Sequence, residues 1–236
     1  MRGGIGGTTM LVVIAVSVAI VAVIAVGAVL VSRSVMRHHG SKAAALAQQW
    51  GWSYTEHAPW LEQRWRGQSF PATAGIRIHH VVSGKFAGRE AAVCELYAYR
   101  THLTVMALAT PRAVPALELR PSGFEARYSR LVHGPYVASG IPQVDRGWRI
   151  RSTAPHLVRA VMTPQMIELL ETGLRIPLRF VGGDVISWHE GGINPALVES
   201  HLARLARATD AVPLQVWQQY GYDPHAGVGG VQGLKE

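Results

Sequence analysis

The chain has 236 residues, a formal charge of +8 and a single cysteine, Cys94. With an apolar N-terminal segment set aside, about 190 residues remain, enough for one domain with a sizeable core. Residues 41–236 carry 20 Lys and Arg against 15 Asp and Glu. This modest excess argues against nucleic-acid binding, and a lone cysteine excludes an intramolecular disulfide.

The first feature along the chain is an apolar segment. No charged residue occurs from position 3 to 32, and residues 10–31 are dominated by Val, Ile, Leu and Ala. A helix of that length spans about 33 Å, which matches a hydrocarbon core of about 30 Å. We therefore predict a transmembrane helix at 10–31, after a short N-terminal segment at 1–9. A cleaved signal peptide is the alternative, but its apolar region is shorter, about 7–15 residues.

Positive charge follows this segment. Arg33 and Arg37 lie in a basic juxtamembrane collar at 32–40, and Lys42 comes directly after it, whereas only Arg2 precedes the segment. Because Lys and Arg are retained on the cytoplasmic side, we predict a single-pass protein of the cell membrane with its C-terminal domain in the cytoplasm. The lone cysteine fits a reducing compartment.

The next part of the chain predicts a helix and an antiparallel meander. A helix begins at Ser41 and ends at Gly51. The aromatic-rich stretch 50–70 belongs either to the core or to a belt at headgroup level, and we favour the core. Strands are predicted at 76–83, 91–100, 103–110 and 117–120. Alternation in the second strand is typical of a half-buried strand. Pro111 and Pro115 separate the last two strands, and 121–143 is predicted to be mostly loop.

The second half predicts further helices around one hairpin. A strand at 147–152 precedes a helix capped by Thr153, and a second helical piece begins at Thr163 and Pro164 and ends at Gly173. Strands at 174–181 and 185–189 form a predicted hairpin around Gly182 and Gly183. The last elements are a helix from Asn194, a short amphipathic piece after Pro213, and a Gly-rich, disordered tail at 222–236. The prediction is an α+β domain at 41–221, a mostly antiparallel sheet packed with three to four helices.

A search for catalytic patterns gives no motif. His79 and His80 are adjacent on a strand and point to opposite faces, and Cys94 has the position of a small core residue. We therefore predict no catalytic, cofactor-binding or metal-binding residues and no cofactor. An enzyme with a site assembled from scattered residues is an alternative, with His79, His102, Cys94 and Glu168 as candidates.

Basic residues form the remaining pattern. Arg149 and Arg151 share one predicted strand face, and Arg175 and Arg179 share another. One interpretation is that a domain tethered near anionic lipid lies against the membrane through basic side chains. We favour the other interpretation, in which the charges keep solvated strand edges from aggregating. Under the first interpretation the lipid-contact residues are Arg33, Arg37, Lys42, Arg149 and Arg151.

Four segments carry a resemblance to a protein family. They are WGWSY at 50–54, VCELYAY at 93–99, DRGWRI at 145–150 and LVRAVMTP at 157–164. With the anchor, this pattern resembles uncharacterised single-pass membrane proteins of actinobacteria, which have no assigned activity. The sequence thus favours a membrane-anchored, non-catalytic binding or scaffolding protein whose partners are the bilayer and an unknown membrane protein. A tethered enzyme or a structural subunit of a larger membrane assembly is the alternative.

Overall fold

A computed structural model describes residues 40–65, 75–98, 101–123 and 135–222. The predicted anchor at 10–31, nearly all of the collar at 32–40, and the tail from 223 onward lie outside these residues. Within the described ranges, no helix is both long enough and apolar enough to cross a membrane. The described residues from Lys42 onward belong to one compact unit.

A six-stranded antiparallel sheet organises the described part of the chain. The strands follow the order β1-β2-β3-β4-β5, and β6 also pairs with β4. This sheet confirms the predicted α+β class. The strands are β1 Ser53–His57, β2 Arg77–Phe86, β3 Arg89–Ala98, β4 Thr101–Pro121, β5 Trp148–Ser152 and β6 Leu178–Glu190.

The central strand β4 is 21 residues long and is irregular in its middle. Its first half pairs with β3 and its last five residues pair with β5. The register against β6 shifts on both sides of Val114. Pro111 and Pro115 lie in this stretch and have no N–H to donate to a neighbouring strand. The predicted separate strand at 117–120 is therefore wrong, because the prolines interrupt the ladder without ending the strand.

The predicted hairpin around Gly182 and Gly183 is also wrong. β6 runs through both glycines without reversing, from Leu178 to Glu190. Gly182 has a φ of 55° and lies opposite Val114, where the β4 register shifts. The positive φ that glycine supplies is used here for an irregularity within a strand, because residues on both sides of the glycines pair with β4.

Short helices surround the sheet. Five of those described begin with proline, whose missing N–H has no partner in a first turn anyway. The predicted three to four helices are too few, because the short helices α2 and α3 were not predicted. The helices are α1 (residues 40–50), α2 Pro59–Trp65, α3 Pro142–Gly147, α4 Pro155–Val161, α5 Pro164–Thr172, α6 Pro195–Asp210 and α7 Leu214–Tyr220.

Of the four predicted helix starts, those at Thr163 and Asn194 are confirmed as side-chain caps, whereas Ser41 lies inside α1, which begins at residue 40. Thr163 accepts a hydrogen bond from Met166 N at 3.2 Å, and the Asn194 side chain accepts one from Ala196 N at 3.2 Å. Thr153 does not cap α4. That helix begins after Ala154, whose N–H donates to Ser152 Oγ at 3.0 Å.

Apolar residues pack on both faces of the sheet. The larger apolar cluster packs helices α1 and α3 to α7 against one face, which we call the main-core face. A smaller cluster, which includes Trp65 of α2, covers part of the opposite face. In β3, Val93 therefore faces the larger cluster and Cys94 the smaller one, and both are fully buried. The prediction that this strand is half-buried is wrong, since it did not anticipate a second layer.

Candidate anion-binding site

Strand register brings charged residues together on the face opposite the main core. Arg149 lies opposite Arg120, Arg151 lies opposite Glu118, and Glu118 in turn lies opposite Arg179. Directly opposed residues in antiparallel strands project to the same side of the sheet. Four arginines from three strands therefore share this face with one glutamate, and we call these five residues the arginine cluster.

The inner part of the arginine cluster is a buried ionic triad. Glu118, Arg120 and Arg179 are only 2%, 4% and 2% exposed. Arg179 Nε donates to Glu118 Oε2 at 2.9 Å and its Nη2 donates to the same oxygen. Arg120 Nε lies 2.8 Å from Glu118 Oε1, as an ion pair without hydrogen-bond geometry. One carboxylate faces two guanidinium groups, so the triad retains a positive charge.

The outer part of the arginine cluster reaches solvent beside Tyr136. The Arg151 guanidinium lies over the Tyr136 ring, 4.1 Å from its centroid. A hydrogen bond from Arg151 and the positive charges of Arg151 and Arg120 lower the pKa of the Tyr136 phenol. Tyr136 is 60% exposed, so these guanidinium groups act on a phenol at an accessible surface.

An open cavity lies beside this surface, between the end of β4, strand β5 and the segment before α3. Its volume is about 640 Å³, and its polar lining includes Arg120, Tyr136, Arg149 and Asp145. Arg149 is exposed, and its Nη1 donates to the carbonyl oxygen of Asp145 at 3.2 Å. The Asp145 carboxylate accepts hydrogen bonds from the backbone and hydroxyl of Ser139, each at 2.8 Å. The cavity therefore has two guanidinium groups and one carboxylate, and that carboxylate is already hydrogen-bonded to Ser139.

Arg120 has unused hydrogen-bonding capacity. Its Nη1 is buried and has no hydrogen-bond partner among the described residues. Buried donors are normally paired, and guanidinium groups pair best with carboxylate or phosphate oxygens. The arrangement is chemically suited to holding an anion.

The structure places the predicted lipid-contact residues in different regions. Arg149 and Arg151 share one face of β5, as predicted. Lys42 is exposed on α1, a helix that packs against the main-core face, while Arg33 and Arg37 lie outside the described residues.

Arg175 is exposed and precedes β6, whereas Arg179 is buried and ion-paired, so the prediction that these two share a strand face is wrong.

Sequence reasoning missed Glu118, Arg120 and Tyr136. A usable signal was present, because Leu117 and Leu119 alternate with Glu118 and Arg120 in a predicted strand. Such a strand has one charged face. The residues that lie beside those charges depend on which strands pair with this one, and the sequence pattern does not specify that pairing.

The scattered catalytic candidates do not meet in one place. His79 and His102 lie on either side of Tyr97, with ring centroids 5.6 and 4.4 Å from its centroid. His102 Nε2 is 3.1 Å from the fully buried Glu95. Cys94 faces the opposite side of the sheet, where burial raises the pKa of its thiol. Glu168 is exposed on α5. Across the described ranges, no group of three or more His, Cys, Asp or Glu is placed to hold a metal ion.

Comparison with known proteins gives one informative similarity. No protein-family model and no curated protein sequence matches the chain. Among solved structures, the chain is similar to the crystal structure of the mycobacterial trehalose monomycolate transport factor A, TtfA. The TM-score is 0.59 at 19% identity, over 76% of this chain and 96% of that chain. The two chains share a fold. At this identity the similarity concerns architecture alone.

Proposed function

We propose that the chain is a single-pass membrane protein whose domain at 41–221 is a non-catalytic accessory module in transport at the bacterial cell envelope. The observation that supports this proposal is the fold shared with a transport factor over 96% of the chain in its crystal structure. Accessory proteins of transport act by binding. The arginine cluster and its cavity offer a surface for doing so.

The anchor is the second part of the proposal. Residues 10–31 contain fourteen Val, Ile and Leu residues. Together they contribute roughly 4 to 8 kcal/mol in favour of insertion, with no charged residue opposing it. The excess of basic residues after the segment favours a cytoplasmic domain. In this arrangement the domain acts within reach of the inner leaflet and of membrane-embedded transporters.

In-cell crosslinking tests the accessory role. A photoreactive amino acid at Tyr136, beside the cavity, or at Leu214, which is 66% exposed on α7, samples two surfaces of the domain. We expect ultraviolet light to join at least one position to an integral membrane transport protein. The matched control is the same amino acid at Glu56, an exposed position on β1.

Three outcomes decide the proposal. A transporter captured from Tyr136 or Leu214 but not from Glu56 supports it. Release of the full-length protein from membranes by alkaline carbonate contradicts the anchor. Recovery of the protein from mild detergent only as a stable multi-subunit assembly without a transporter contradicts the accessory role and favours a structural subunit.

A further inference from the structure

We propose that the cavity beside the arginine cluster binds the phosphate group of a phosphate ester, with Arg120 and Arg149 as its ligands and Tyr136 as a further donor. This inference deepens the proposed function. It rests on that function only where a membrane lipid is the source of the phosphate ester. The site itself follows from the contacts of the described residues.

The first argument is charge. The four guanidinium groups of the arginine cluster lie in or beside the cavity. Of the described residues, only the two carboxylates Glu118 and Asp145 lie among them. Glu118 is already shared by two guanidinium groups, and Asp145 accepts two hydrogen bonds from Ser139. The site therefore has a positive excess, which an entering anion would neutralise.

The second argument is the unpaired donor on Arg120. The side chain lines the cavity, is 4% exposed, and has an Nη1 without a hydrogen-bond partner in the described part of the chain. Leaving such a group unpaired is unfavourable, and pairing it with an ionised oxygen is stronger than pairing it with a neutral one. Because Arg120 lines the cavity, a small shift of its side chain would bring this enclosed donor to an anion there.

The third argument selects a phosphate ester among anions. A phosphate has enough oxygens to meet two guanidinium groups and a phenol at once, and the planar guanidinium group matches its geometry. A volume of about 640 Å³ exceeds what an inorganic ion fills, and the remaining lining includes the apolar side chains of Pro121, Val137 and Ala138. These walls suit the carbon-rich part of an ester. A lipid headgroup and a soluble phosphate ester both present this chemistry.

A binding measurement distinguishes these two sources. The full-length protein in a neutral detergent is titrated with glycerol 3-phosphate, as a soluble ester, and with dihexanoyl phosphatidic acid, as a lipid ester. Dihexanoyl phosphatidylcholine, which has no net charge, is the comparison ligand. We expect one or both anionic esters to bind more tightly than the phosphatidylcholine, and increasing salt to weaken their binding.

Variants test the residues. We expect Arg149→Gln to weaken binding by about tenfold, the effect of losing one charge-assisted hydrogen bond. Because Arg149 is exposed, its substitution should leave the melting temperature unchanged. Arg120→Gln should weaken binding at least as much, and Glu118 would still be paired with Arg179. The matched control is Arg77→Gln, an exposed strand arginine on β2, which β3 and β4 separate from β5.

Each result has one meaning. Binding of either ester that is lost in Arg149→Gln and kept in Arg77→Gln supports the site, and the tighter ligand identifies the source. The proposal is overturned if neither ester binds or if phosphatidylcholine binds equally well. It is also overturned if Arg149→Gln leaves binding unchanged, or if Arg77→Gln weakens binding as much as Arg149→Gln. Alkaline carbonate extraction tests the membrane anchor, and the titration tests the phosphate site. A protein that carbonate releases from membranes but that still binds an ester would contradict the anchor and support the site.

Discussion

Glu118 is the residue that stabilises the arginine cluster. It is buried between Arg120 and Arg179, which are also buried. Removing one side of a buried ionic network leaves the other charges uncompensated, at a cost of about 3–5 kcal/mol. We expect Glu118→Gln to lower the free energy of unfolding by about 3 kcal/mol or more, measured by urea denaturation followed by circular dichroism.

The control for this variant is Glu90→Gln. Glu90 forms an exposed ion pair with Lys85, at 3.7 Å, and both side chains are more than two-thirds exposed. Such pairs contribute about 0–1 kcal/mol. If the two substitutions had equal effects, the triad would not be the stabilising unit described here.

His201 gives the domain a pH dependence. Ser187 donates its hydroxyl proton to Pro177 O at 2.7 Å, so its oxygen accepts from His201 Nδ1 at 3.0 Å. Burial, together with the positive charges of His189 and Arg204, lowers the pKa of His201 to about 4. Between about pH 6.5 and 4 the unfolded chain therefore binds a proton that the folded domain does not. Stability falls as the pH falls through this window.

A substitution measures this contribution. At about 1.4 kcal/mol per pKa unit, His201 lowers stability on the order of 3 kcal/mol by pH 4. His201→Asn keeps a donor near the position of Nδ1 and removes the titration. We expect its free energy of unfolding to change less between pH 7 and 4.5 than that of the unmodified protein. His156→Asn, on an exposed position of α4, should leave the slope unchanged.

At the scale of elements, Trp52 connects the end of α1 to the sheet by lying on Gly84 of β2. A Cβ atom at position 84 would be 2.4 Å from Trp52 Cγ, which is too close for any side chain. The Trp52 ring also packs edge-on against Trp50, at 5.0 Å between centroids. We expect Gly84→Ala to displace the ring and to lower the free energy of unfolding by about 1–3 kcal/mol.

Thermal and urea denaturation compare this variant with Gly147→Ala. No atom lies within 4 Å of a Cβ placed at Gly147, so its substitution should change stability by less than about 0.5 kcal/mol. A Gly84→Ala protein as stable as the Gly147→Ala protein would show that Trp52 moves away without cost.

The elements also show what the sequence could predict. α5 and α6 were correctly placed because Thr163 with Pro164, and Asn194 with Pro195, are local signals that act within one turn. The predicted turn at Gly182 is wrong because a tight turn and an irregularity within a strand both use a glycine with positive φ. Pairing with β4 decides which of the two structures forms.

The same limit applies to the arginine cluster. Arg149 and Arg151 share a face by local alternation alone, and this was predicted. Glu118 and Arg179 are 61 residues apart and meet only through the register of β4 with β6. Their contact is a property of the assembled sheet, which local patterns do not determine.

At the scale of the whole molecule, the proposed topology is testable through the single cysteine. Cys94 is fully buried, and burial raises the pKa of its thiol, so it should react slowly with maleimides. New cysteines at Gly4 and Gly233 then report the two ends of the chain. We expect a membrane-impermeant maleimide to label Gly4→Cys in intact cells and Gly233→Cys only after permeabilisation.

The unmodified protein is the control for these labelling experiments. Labelling of Gly233→Cys in intact cells would contradict the cytoplasmic position of the domain. Labelling of neither site in intact cells would contradict the single-pass arrangement, which puts the N-terminus on the side of the membrane opposite the cytoplasmic domain.

The length of β4 also determines when the sheet can be completed. Thr104, near its start, donates a hydrogen bond to the carbonyl of Gly191, 87 residues later in the chain. During translation, one edge of this strand has no partner until those residues have left the ribosome. Pairing over such separations is slow and leaves strand edges exposed to other chains. Synthesis of the final third of the protein is therefore the step at which newly made copies are most vulnerable to aggregation.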